Sequence, residues 1–140
     1  MLKNLFKKEK EKVLDNNVLI TALLIHAAKI DENYSDSEKS IIKKAIMNLN
    51  NLNIDKAEEI LKDAEKIEEQ SNQIIEFTRE IKKYPIEFRL KIIEIIWKIV
   101  YSDGKNDSYE STLIRRICGL LYVSDKDNGV IKEKILNQSK

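Results

Sequence analysis

Two stretches of this chain, KIDENYSDSEKSIIKKAI from Lys29 to Ile46 and YSDGKNDSYESTLIRRIC from Tyr101 to Cys118, align without a gap at an offset of 72 residues. The offset puts Asp31 on Asp103, Glu38 on Glu110, Ile42 on Ile114 and the pair Lys43-Lys44 on Arg115-Arg116. Each stretch follows an apolar run, passes through a short acidic turn and enters a second apolar run at helical spacing. Such a pattern constrains the chain to two related helical hairpins around an inner pair of apolar helices, because an all-round apolar helix has to be covered by its neighbours.

The remainder of the sequence agrees with an all-α fold. The chain has one proline, Pro85, and three glycines, and no long alternating run marks a sheet. The spacing predicts five or six main helices. The first covers Asn16 to Ile30, where Val18, Leu19, Ala22, Leu23, Ile25 and Ala27 are spread broadly enough to suggest a central helix. SDSE, from Ser35 to Glu38, has the spacing of a capping box, in which the Ser35 hydroxyl and the Glu38 carboxylate each satisfy a free amide. A helix from Asp36 to Leu49 follows. A second box at Asp55 to Glu58 opens a helix from Lys56 to Glu69, and Ser71 opens another that ends at Lys82-Lys83-Tyr84-Pro85. Proline disfavours a helical Tyr84 and suits the first position of the next helix, Ile86 to Tyr101, whose apolar second half makes it the expected core axis. In this reading residues 56–83 lie between the two hairpins.

A chain of 140 residues fits one domain and needs no disulfide to fold. Residues 1–12 read as a basic tail or short helix, and 13–140 as the helical domain. Charged residues make up 35% of the chain, yet net charge is only +1, which suits a soluble cytoplasmic protein and gives no general drive towards nucleic acid. The opening MLKNLFKKEKEK carries five lysines against two glutamates, with Leu2, Leu5 and Phe6 among them. A frayed end, packing on the domain and weak peripheral contact with an anionic membrane are the three uses of such a segment. IIEIIWKIVY, Ile92 to Tyr101, is charged and too short to span a membrane, and reads as core.

The acidic turns admit two accounts. In the structural one, Gly104 closes the inner helix with positive φ, and Asp107 caps the next helix with Glu110 completing the box. In the other, hard oxygen donors converge on a divalent cation: Asp103, Asn106 or Asp107, and Glu110 in one turn, with Asp31, Asn33, Ser35 and Glu38 in the other. Both turns are too short for an EF-hand loop, and hard oxygens favour Ca²⁺ or Mg²⁺.

Few residues offer catalytic chemistry. His26, the single histidine, lies on the central helix and reads as a core or inter-helix hydrogen-bonding residue rather than a general base or metal ligand. The single Cys118 is expected to be reduced and buried, and Trp97 to pack in the core. Lys43-Lys44 and Arg115-Arg116 read as solvated faces. There is no serine–histidine–acid order, zinc-ligand set or glycine-rich phosphate loop. A small hydrolase using the paired carboxylates Asp103 and Glu110 is the enzymatic alternative, and it requires a pocket beside them.

Phe77-Thr-Arg-Glu, the run from Arg89 to Asp103-Gly104, then Glu110 and Leu113-Ile-Arg-Arg-Ile, together resemble the tellurite-resistance TerB-like superfamily. That superfamily is related to the N-terminal domain of a membrane-linked DnaJ-type co-chaperone. The resemblance covers residues 15–137, and it implies an all-helical domain linked to stress or tellurite response; the reading that follows is a non-catalytic stress-associated or scaffold module that recruits another protein through its outer helices. The resemblance also implies that Asp31, Glu38, Asp103 and Glu110 are the acidic positions proposed to hold a divalent cation. The first repeat departs from the pattern at Glu32, where the usual glycine is missing. The chain also lacks the HPD loop of a J-domain.

Overall fold

Six consecutive residues of the first helix, Ile20, Thr21, Ala22, Leu23, Leu24 and Ile25, are each at most 1% exposed. Six residues exceed a full turn, so this helix is covered on every side. The computed structural model describes residues 16–29, 34–70, 74–102 and 108–138, with the backbone alone described for 108–111. Within them the first helix, α1, runs over 16–28. Thr21, buried in its middle, donates its hydroxyl proton to Asn17 O at 2.7 Å and so carries no unsatisfied donor.

Six further helices follow: α2 (Asp36–Asn50), α3 (Ile54–Gln70), α4 (Ile75–Ile81), α5 (Ile86–Tyr101), α6 (Ser108–Leu120) and α7 (Asp125–Gln138). The described residues thus form an all-α domain of seven helices, with no strand among them. The sequence spacing had suggested five or six. The added helix is α7, which Tyr122 separates from α6 by taking a left-handed conformation at φ 57°.

α5 is the second inner helix. Ile92, Ile93, Ile96 and Ile99 are at most 1% exposed, and all belong to one continuous core with α1. Trp97 is 1% exposed, stacks on Tyr101 with ring centroids 5.4 Å apart, and donates its Nε1 proton to Asn128 Oδ1 of α7 at 2.8 Å. α2 packs on α3 and α5, while α6 packs on α4, α5 and α7.

The repeat extends further than the two aligned stretches. α2 ends with Asn51 in the left-handed region, and Leu52 N donates to Met47 O at 3.1 Å. α6 ends the same way at Tyr122, with Val123 N donating to Cys118 O at 2.8 Å. Both are Schellman-type closures that satisfy terminal carbonyls. Each is followed at once by a capping side chain: Asn53 Oδ1 accepts from Lys56 N at 2.8 Å, and Ser124 Oγ accepts from Asp127 N at 3.1 Å. The repeating unit is therefore helix, acidic turn, helix, left-handed cap, helix. α3 belongs to the first unit and α7 to the second, and residues 56–83 are not simply an insertion. Only α4 and the residues flanking it lie between the units.

Two local expectations shift for the same reason, that a cap sits just outside the helix it opens. α3 is capped by Asn53 and not by Asp55, which occupies its first turn. Pro85, with ψ 154°, is the residue before α5 and not its first helical residue, and its carbonyl accepts from Phe88 N and Arg89 N. Arg89 then ties three segments together: its Nε donates to Tyr84 O at 2.9 Å and its Nη1 to Leu121 O at 2.8 Å. The guanidinium thereby serves a carbonyl just beyond α6 and fixes it against the α4–α5 turn.

Candidate functional site

The capping box at Ser35 forms in full. Ser35 Oγ accepts from Glu38 N at 3.2 Å, and Glu38 Oε1 accepts from both Ser35 N and Ser35 Oγ at 3.1 Å. Glu38 is only 4% exposed, because it occupies the same face of α2 as the buried Ile42 and Ile46. A cap of this kind fixes the Glu38 carboxylate at the start of α2.

Around that cap the fold gathers a group of acidic and basic side chains from α1, α2 and α3. Glu68 of α3 is buried, and Lys29 Nζ lies 2.6 Å from its Oε2 while His26 Nδ1 lies 3.3 Å from its Oε1. His26 thus acts as the inter-helix partner expected of it. Tyr34 donates its hydroxyl proton to Glu65 Oε1 at 3.2 Å, and Lys39 Nζ stands 4.9 Å from the Tyr34 ring centroid. Burial pushes the Tyr34 phenol well above its ordinary ionisation range, and the negative charges of Glu65, Glu68 and Glu38 add to that shift. Around Tyr34 the carboxylates of Glu65 and Glu68 are each met by a lysine, Lys39 at 3.9 Å and Lys29 at 2.6 Å.

Sequence reasoning missed Glu68, Glu65, Lys29 and Tyr34 as members of this group. Glu68 had a legible signal: it continues the buried stripe of α3 set by Ala57, Ile60, Leu61 and Ala64. A carboxylate on an apolar stripe needs a partner, and the basic residues near the end of α1 supply it.

Of the four acidic positions singled out in the sequence, Asp31 and Asp103 lie outside the described residues, as do Gly104 and Asp107. Glu110 lies on α6, but its side chain is not among those described, so the Asp103–Glu110 pair is not placed. Among the described residues no three of histidine, cysteine, aspartate and glutamate come together in a metal-ligating group. The basic segment Met1 to Lys12 is likewise outside the described residues. No described helix is long and apolar enough to cross a membrane.

The remaining reactive side chain is Cys118, 1% exposed on α6. Burial, with a smaller contribution from the Asp125 carboxylate, pushes its thiol up to about 12, so it is protonated and inert at neutral pH. Lys43 faces out and meets Glu58 at 3.2 Å, while Lys44, Arg115 and Arg116 are exposed, in keeping with solvated faces.

One surface feature had no counterpart in the sequence reading. A groove of about 450 Å³ runs between α2 and α5, floored by Ile41, Ala45, Leu49, Phe88 and Ile95. Its rim carries Lys44, Lys91 and Lys98, with Glu94 as the acidic residue.

The family model described as tellurite resistance protein TerB matches residues 17–133 of the chain. No curated protein and no solved structure matches it.

Proposed function

The chain belongs to the TerB family, and from that we propose that it is a non-catalytic helical module that binds another protein in a stress-associated setting. One observation carries the reading: the single histidine, the single cysteine and the capping glutamate are already used by the fold. His26 and Lys29 hold Glu68, Glu38 closes the α2 cap, and Cys118 is buried and protonated. The open groove between α2 and α5 leaves surface for a partner. Photo-crosslinking side chains placed along the exposed faces of α2, α5 and α6 in the native cell test this. A discrete adduct whose protein partner binds again when both are purified supports the proposal, and no adduct from any position overturns it.

The same module holds a divalent cation weakly at its acidic turns, through Asp31 and Glu38 in one and Asp103 and Glu110 in the other. The donors are carboxylate oxygens, which suit Ca²⁺ or Mg²⁺. The fixed Glu38 carboxylate and the acidic surround of Tyr34 support that reading at the first turn. Calorimetric titration of the full chain with each cation should give saturable heat that Glu38→Gln weakens. An absence of heat at both turns contradicts it.

A further inference from the structure

We propose that the groove between α2 and α5 is a docking site for an acidic amphipathic helix of a partner protein. The proposal rests on the protein-binding reading and gives it a place and a chemistry.

Its apolar floor is built from two helical ridges. Ile41, Ala45 and Leu49 recur at successive turns of α2, and Phe88 and Ile95 lie two turns apart on α5. Ridges at this spacing receive the i, i+3, i+4 and i+7 side chains of a third helix. The α5 lining, residues 88 to 98, is about 15 Å long, so roughly three turns of helix fit along it.

Charge determines which helix fits. Glu94 is already shared between Lys98 at 3.8 Å and Lys134 at 3.3 Å. Lys44 and Lys91 are exposed and have no hydrogen-bond or ion-pair partner among the described residues. Two ammonium groups without a direct ion pair therefore stand beside an apolar floor, Lys91 sharing an adjoining groove with Glu87 and Asp127, and carboxylates flanking an apolar stripe complement them.

Neither of the nearer occupants matches this charge. Residues 1–12 carry five lysines against two glutamates, the same sign as the rim. In a second copy the most acidic helix is α3, with seven acidic and three basic residues, but its Ala57, Ile60, Leu61 and Ala64 are already buried in its own core. A separate acidic segment with a free apolar stripe remains.

The test uses the full chain and two fluorescent synthetic helical peptides with the same leucine stripe, one flanked by glutamates and the other by lysines. The glutamate peptide is expected to bind saturably and at least about tenfold more tightly than its lysine twin. Backbone NMR shifts should be concentrated on residues 41–49 and 88–98. Replacing both lysines, Lys44→Glu with Lys91→Glu, should abolish the preference; both side chains are exposed, and an unchanged thermal melt would show that the fold is retained. Equal binding of the two peptides, shifts elsewhere, or no binding by either overturns the proposal. Relief of both peptides alike by Leu5→Glu with Phe6→Glu in the full chain also overturns it, because the groove would then belong to the chain's own N-terminus. If a crosslinked protein partner binds the full chain while neither peptide does, the docking proposal fails and the protein-binding reading stands.

Discussion

Glu68 illustrates how a buried charge is tolerated in this small core. Its carboxylate loses hydration, and Lys29 and His26 offset that loss at 2.6 Å and 3.3 Å. Because both partners remain about one-third exposed, Glu68→Ala is expected to lower unfolding stability by only about 1–3 kcal/mol, less than for a fully buried pair. Urea denaturation measures this, and a double-mutant cycle with Lys29→Met separates the pair from the lost packing. Cys118 makes a second, pH-dependent prediction. Its folded pKa, about 12, lies above the ordinary thiol value, so the stabilising contribution is fully present below the unfolded pKa and declines as pH rises towards the folded one. Stability should therefore fall on the alkaline side, from about pH 9 upward, and Cys118→Val should remove part of that fall. Tyr34, also raised, acts in the same direction at higher pH. At neutral pH, labelling of Cys118 by a thiol reagent should track unfolding and be very slow in the native protein.

Helices were legible in the sequence where apolar spacing and caps agreed. α2 shows this best: the Ser35 box predicted its start, and the fold places both bonds of that box. Less legible were features that depend on a partner distant in sequence. Asn128 lies in a polar, weakly amphipathic run, and only the folded chain brings it to the Trp97 Nε1 proton. Arg89 likewise gave no local hint that it would reach Leu121 O, 32 residues away. The left-handed Tyr122 was illegible because it is neither glycine nor asparagine, the residues that usually announce such a cap. These contacts make testable demands. Asn128→Ala should cost about 1–3 kcal/mol by leaving a buried indole proton unsatisfied between α5 and α7. Arg89→Lys should cost about 1–2 kcal/mol, since an ammonium cannot reproduce the guanidinium fork that reaches Tyr84 O and Leu121 O together. Thermal melts of both variants, with the wild-type circular dichroism spectrum retained at low temperature, measure these losses.

In the molecule as a whole, two three-helix units share one core, with α4 between them. The sequence alignment revealed the middle of each unit because both acidic turns kept their spacing. It missed the ends because Asn51 and Tyr122, and Asn53 and Ser124, perform the same tasks with different side chains. The candidate site was legible to a similar degree: Glu38 was found from its capping role, whereas its neighbours Tyr34, Glu65 and Glu68 required the fold. The α2–α5 groove could not be read from sequence at all, because its floor joins residues from two helices far apart in the chain. If the two turns are copies of one joint with one task, they should respond to the same ligand. Backbone NMR of the full chain during titration with Ca²⁺ and Mg²⁺ tests this most directly. Saturable shifts are expected around Asp31 to Glu38 and around Asp103 to Glu110, with the rest of the fold little changed. No saturable shift at either turn would contradict the account.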